Sequence, residues 1–245
     1  VRKRKAFLRT TIAALLILGA AICAVTQAQN RAVKQNKRDE PTKVAPQPVK
    51  NAPDADDAHY SYEFQKSNFY IRHIVIKHDA SGRGEISFEK QGDSEPIVEP
   101  LALSDAARAR ITSLWEALRF LDSNDNYQSE RQYPHLGTMW LTMTRGTRER
   151  VAEFNWTNDL NAKALIDEYR RIGNQAIFIF DITVARENQP LDSPKLLDTL
   201  DIYIDRKELS DTQQLIPLIR ELSTDERLPL IARNHAGRIL KKLEK

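Results

Sequence analysis

The side chains of this chain that could bind a metal or move a proton are its five histidines, an Asx-rich run and scattered carboxylates. The run Asp122-Ser123-Asn124-Asp125-Asn126 carries oxygens at odd positions, as a calcium loop does. An EF-hand also needs glycine at the sixth position and an acid at the twelfth, where this chain has Tyr127 and Tyr133. The run therefore reads as an exposed loop following a helix. His73 and His78 share a predicted strand at an odd spacing. Alternation sends them to opposite faces, where they cannot ligate one ion. His59 falls at the end of a polar tether, and His135 and His235 have no partner at ligand spacing. Asp181 with Glu187, or Asp167 with Glu168, would make a carboxylate pair for acid–base work if something placed them around a pocket. Asp167-Glu168 beside Arg170-Arg171 reads better as a solvated helix face. The polar clusters Arg186-Glu187-Asn188-Gln189 and Arg233-Asn234-His235 lie next to apolar runs and read as helix caps and interhelical hydrogen bonds. The sequence has no GxSxG, P-loop, dinucleotide fingerprint or HExxH, so no catalytic residue, cofactor or metal is expected.

The elements that would position these groups follow from periodicity. Tyr60–Lys66 alternates aromatic and polar residues as a short strand does, and Phe69–His78 is rich in β-branched and aromatic residues. Asp79-Ala80-Ser81-Gly82-Arg83-Gly84 supplies turn chemistry, and Glu85–Lys90 alternates again, which predicts a hairpin with a loop of about four to six residues. Ser104 caps a predicted helix that buries Ile111, Leu114, Trp115, Leu118 and Leu121 on one face. Thr138–Thr144 and Arg150–Trp156 flank Arg145-Gly146-Thr147-Arg148 as a second hairpin. From Asn158 the spacing turns helical, with Ile177–Phe180 open to a strand reading. Ser193-Pro194 predicts a capped helix start, Ser210 with Gln213 a capping box, and Leu228–Leu243 a last helix. The expected fold is α+β, with an antiparallel sheet of two hairpins packed on a helix over residues 60–157. A helical region, residues 158–245, packs on it.

Composition separates the two ends of the chain. Of the 245 residues, the first 50 hold 11 Lys and Arg against two acids, leaving 26 basic against 32 acidic residues downstream. An acidic globular part argues against a nucleic-acid partner, which needs cations on the folded domain. The basic cluster Arg2-Lys3-Arg4-Lys5 precedes the apolar run Thr11–Val25. This is the order read as a signal peptide cleaved after Ala28, or as a signal anchor. Fifteen apolar residues make a helix of about 22 Å, which favours cleavage over spanning. Cys23, the only cysteine, sits in this run. Ile22 in front of it argues against lipidation, and a lone thiol gives neither a disulfide within the chain nor a cysteine metal site. Residues 1–28 thus read as the export segment. Residues 29–59, with Pro41, Pro46, Pro48 and Pro53 among polar residues, read as a disordered linker.

Two resemblances accompany these readings. Tyr62–Trp156, with its extended strand, DASGRG turn, EISFEK and a helix ending in FLD, resembles uncharacterised domains of exported bacterial proteins. That resemblance implies no activity. The stretch LIPLIRELSTDERLPLIARNHAGRILKKLE resembles one helical pair of HEAT-type repeats, but no second copy follows, so it reads as a local helical hairpin. The expected protein is periplasmic or otherwise extracytoplasmic, meets the membrane only through residues 11–25, and binds a protein partner in the cell envelope without catalysing a reaction. The alternative is a hydrolase whose Asp and His residues come together only in the fold.

Overall fold

The computed structural model describes residues 58–244. The expected export segment and the linker up to residue 57 lie outside the described residues. Six strands form one antiparallel sheet: β1 (Ala58–Gln65), β2 (Ile71–Asp79), β3 (Arg83–Lys90), β4 (Ile97–Ala102), β5 (Thr138–Arg145) and β6 (Arg148–Phe154), in the order β4-β3-β2-β1-β5-β6. The helices are α1 (Asp105–Leu118), α2 (Leu160–Asn188), α3 (Ser193–Asp205), α4 (Ile216–Thr224) and α5 (Leu230–Leu243). This is the expected α+β architecture, with one addition. The first strand joins the two hairpins, so Tyr62 faces Ile76 on one side and Leu141 on the other. His59, placed by the sequence at the end of a tether, is the second residue of this strand.

Strict alternation in β1 buries Ala58, Tyr60, Tyr62 and Phe64 and turns His59, Ser61, Glu63 and Gln65 to the other face. The β2–β3 loop is tighter than expected, only Ala80–Gly82, with Gly82 at φ +80° where glycine carries no Cβ penalty. Strand β4 has no counterpart in the sequence reading, because Pro100 in Ile97–Ala102 speaks against a strand. The structure accommodates it at the sheet edge. Leu103 donates its N–H to the carbonyl of Gly82 at 2.9 Å, which fixes the odd-numbered residues as those bonded to β3. Pro100 then points its nitrogen away from the ladder and loses no bond.

Ser104 caps α1 as expected, its Oγ accepting the Ala107 N–H at 3.1 Å. Ile111, Trp115 and Leu118 are buried on its inner face, and Arg119 in the left-handed region ends it before Leu121. Asp159 caps α2 by accepting the Ala162 N–H at 2.8 Å. Its 29 residues form one uninterrupted helix, about 44 Å long. The strand reading of Ile177–Phe180 is therefore replaced, because those residues continue a helical stripe that has apolar partners on both sides.

α2 crosses the sheet diagonally. Arg170 touches Met139 of β5, Tyr169 stacks on Tyr62 of β1, Gly173 meets Ile74 and Ile76 of β2, and Phe180 packs edge-on against Phe88 of β3. Its first half completes a core with the sheet and α1, including Trp115, Leu141, Leu165 and Tyr169. Phe178 and Ile182 enter a second core with Leu197 and Leu200 of α3, Ile219 of α4 and Ala232 and Ile239 of α5. No helix among the described residues is long and apolar enough to cross a membrane.

Two expected caps are corrected. Ser193 already has helical backbone angles, Asp192 occupies the cap position without a side-chain bond, and the Ser193 hydroxyl is buried with no partner among the described residues. At the next turn Asp211, not Ser210, accepts the Gln213 N–H, at 3.0 Å. Ser210 instead donates its hydroxyl to Glu168 at 2.6 Å. A long-range carboxylate outbids a local amide there, which spacing along the chain cannot reveal.

Candidate functional site

The residues singled out for chemistry are distributed over the fold and tied to neighbours. In the Asx-rich run, arginines take the place a cation would occupy. Arg148 donates to Asp122 at 2.6 Å and to the Leu121 carbonyl at 2.5 Å. Arg150 donates to the Ser123 hydroxyl at 2.6 Å and to the Asp125 carbonyl at 2.7 Å. The Arg148 guanidinium holds Asp122 below the ordinary carboxylate range. The run is a loop clamped to β6.

His73 and His78 lie on opposite faces of β2, as alternation requires. His73 sits on the open side, with Nε2 2.9 Å from Glu63 and Nδ1 3.3 Å from Glu89. His78 is buried under α1 and α2, stacked on Tyr60 with ring centroids 5.1 Å apart. Its Nδ1 lies 2.8 Å from the Asp79 carbonyl, and a carbonyl only accepts, so Nδ1 carries the proton. Nε2 is then the acceptor for the Tyr169 hydroxyl at 2.9 Å, and that hydroxyl accepts the Trp115 indole N–H at 3.0 Å. A continuous hydrogen-bonded chain thus joins β2, α2 and α1 inside the core.

Burial lowers the pKa of His78, because the imidazolium would lose its water. The folded state therefore resists a proton that the unfolded chain takes up near pH 6.5. The contribution of His78 to stability is complete above that pH and declines as pH falls from there toward the lowered folded value. Urea unfolding of the wild type and of His78→Gln between pH 7.5 and 5 checks this. The wild type should lose more stability across the interval; parallel losses would remove His78 as the cause.

The carboxylate pairs do not form. Asp181 is paired with Lys90, whose ammonium lies 5.3 Å from the Phe180 ring centroid, while Asp167 pairs with Lys163 on the helix surface at 2.5 Å. Glu168 overturns the reading of a solvated face, since its side chain is only 1% exposed. It accepts from Arg110 of α1 at 2.9 Å, from Arg171 at 3.0 Å and from Ser210. The sequence did contain a signal for this: Glu168 sits on the same helical stripe as Leu165, Tyr169 and Ile172.

Of the two polar clusters, Arg186 and His235 make interhelical ties, whereas Asn188 donates to the Val184 carbonyl of its own helix and the Arg233 Nε is buried with no partner among the described residues. Arg186 of α2 reaches Asp225 and Glu221 at the end of α4. Arg227, with Arg186 beside it, holds Asp225 well below the ordinary carboxylate range. His235 of α5 is the one expected histidine that meets aspartates across helices, with Nδ1 3.2 Å from Asp198 and Nε2 3.5 Å from Asp201 of α3. The two aspartates flank the ring and tie α5 to α3, with the hydrogen bond made by Nε2 to Asp201. Lys242 completes the ladder by pairing with Asp201 at 2.8 Å and Asp205 at 2.5 Å. His135 lies in a short turn against Tyr133. Among the described residues no group of three or more His, Cys, Asp or Glu is placed to hold a metal ion.

What the fold leaves unengaged is surface. The helices cover one face of the sheet, and on the other none of the outward positions is buried. One row across that face runs Val98, Ser87, Val75, Glu63, Trp140, Glu153, and the next carries Ser61, Thr142 and Val151. Val98 and Val151 are 56% and 53% exposed. A solvated sheet face ordinarily presents polar side chains; here valines and a tryptophan interrupt them. No protein-family model matches the chain, and no curated protein matches it.

Proposed function

We propose that this chain is an exported envelope protein that acts by binding another protein through the bare face of its sheet. The observation that carries the reading is that face: six strands wide, without a covering helix among the described residues, and interrupted by Val75, Val98, Trp140 and Val151. Apolar side chains on an otherwise polar surface gain by leaving water, at about 25 cal/mol per Å² covered. Threonine and glutamate between them supply hydrogen-bonding rim groups. Export rests on the basic cluster Arg2–Arg9 ahead of Thr11–Val25, and the acidic folded region suits a partner that is not a nucleic acid. The rival reading, a hydrolase built from distant Asp and His residues, has its best candidate in His235, which stands between Asp198 and Asp201 of α3.

A photo-crosslinking residue at Thr142, on β5 of the face between Ser61 and Val151, tests the proposal in the native envelope fraction. A second at Lys195, exposed on α3, serves as the comparison. Thr142 should give one adduct of defined mass that Lys195 does not, and the mass of the bait should show whether processing occurs near Ala28. Identical patterns at the two positions, or none at either, would remove the sheet face as a binding surface.

A further inference from the structure

We infer that the free edge of β4, with the stripe of α2 beside it, is an acceptor site for an extended peptide segment of another protein, apolar at alternate positions and carrying one Lys or Arg. The site is separate from the bare face, because it uses the edge of the sheet and its helix-covered side.

α2 reaches the sheet edge before its apolar stripe ends. Phe180 lies over β3, and the next turn, Thr183 and Val184, lines a groove of about 380 Å³ bounded by β4. Along the helix this wall consists of Ile172, Ala176, Ile179, Phe180 and Val184, with Gln175 and Thr183 between them. The first and last are about 18 Å apart along the helix axis. Ile179 and Val184 remain 37% and 40% exposed. The helix thus offers an apolar ridge beside the edge at which the sheet stops among the described residues.

The edge supplies the hydrogen bonds. With the odd residues bonded to β3, Val98 and Ala102 turn their N–H and C=O groups outward, and these have no backbone partner among the described residues. Pro100 adds a carbonyl and no donor. A strand pairing there would set every second side chain toward the groove, as β4 itself sets Glu99 and Leu101. Glu99 decides the charge of the occupant. It is the only ionisable side chain lining the groove and makes no ion pair among the described residues. A single negative charge among apolar and uncharged polar side chains, Gln175, Thr183 and Gln214 among them, selects a segment with one cation and otherwise uncharged residues.

A second copy of this chain fits poorly. Edge-to-edge pairing of two β4 strands brings two Glu99 carboxylates onto one face and two Pro100 nitrogens into the ladder, neither of which can donate.

The test uses the full chain and the labelled peptide acetyl-Thr-Val-Thr-Lys-Thr-Val-Thr-amide, read by fluorescence anisotropy. Saturable binding is expected, weakened roughly tenfold or more both by Glu99→Lys and by Ala102→Pro. A peptide with Glu in place of Lys should recover binding to the Glu99→Lys protein. Ala102→Pro removes an outward N–H and leaves the β3 ladder intact, so its thermal midpoint should match the wild type. Absence of saturable binding at about millimolar peptide would overturn the site. Loss in Glu99→Lys without loss in Ala102→Pro would overturn the strand pairing. Crosslinking at Thr142 is independent of both results.

Discussion

Replacement of Tyr169 by phenylalanine should lower the unfolding free energy by about 3 kcal/mol, although the substitution removes a single oxygen. The ring is fully buried and stacks on Tyr62 at a centroid distance of 5.1 Å, contacts that phenylalanine keeps. What it loses is the hydroxyl standing between the Trp115 indole N–H and His78 Nε2. Both groups are then left in the core without a partner, each costing about 1–3 kcal/mol. Burial also holds the Tyr169 phenol far above its ordinary pKa, so the proton that bridges to His78 stays in place at any working pH. For a folded region of this size the thermal midpoint should fall by roughly 10 °C. Denaturant unfolding measures the loss. Adding Trp115→Phe to Tyr169→Phe should cost less than the sum of the two single changes, because one orphaned donor disappears with the tryptophan. A Tyr169→Phe protein within about 1 kcal/mol of the wild type would mean that the hydroxyl is not what joins the three elements.

A methyl group at Gly84 should do comparable damage for a different reason. A Cβ built there would lie 1.9 Å from the Lys77 carbonyl oxygen and 2.7 Å from the His78 Cα. Both obstacles are backbone of the neighbouring strand, so no rotamer change relieves them and the β2–β3 ladder must part locally. Overpacking of this kind costs about 3 kcal/mol. Gly84 also pairs with Leu101 of β4, which places the disturbance beside the proposed acceptor edge. Gly92→Ala is the comparison: it meets no atom within 4 Å, and only its φ of +98° opposes a side chain. Its cost should be nearer 1 kcal/mol. Equal unfolding midpoints for the two variants would show that the close approach of the strands at Gly84 does not constrain the hairpin.

These effects show where sequence reading stops. The residue that holds the buried carboxylate network, Glu168, stands in a run of charges, Asp167 to Arg171, that looks solvated when read along the chain. It is buried because Arg110 arrives from α1 and Ser210 from the segment before α4, positions far apart in sequence. Ser210 in turn abandons a local cap for that carboxylate. Strand β4 is not legible along the chain because proline opposes strand formation everywhere except where its nitrogen faces away from the ladder, and edge position is a property of the assembled sheet.

The sequence by itself determined the two hairpins, the capped helix α1, the change to helix after residue 158 and the opposite faces of His73 and His78. All of these depend on periods of 2 and 3.6 residues and on turn chemistry, which are local. It also ruled out thiol chemistry for the folded region, since Cys23 is the only cysteine. Only the tertiary structure decided that β1 unites the hairpins in one sheet, that α2 crosses it to serve two cores, and that one face and one edge are left bare among the described residues. It decided as well that arginines fill the Asx-rich loop and that two aspartates of α3 flank His235. Those outcomes depend on which distant side chain reaches a buried polar group first, and desolvation makes that choice nearly all-or-none.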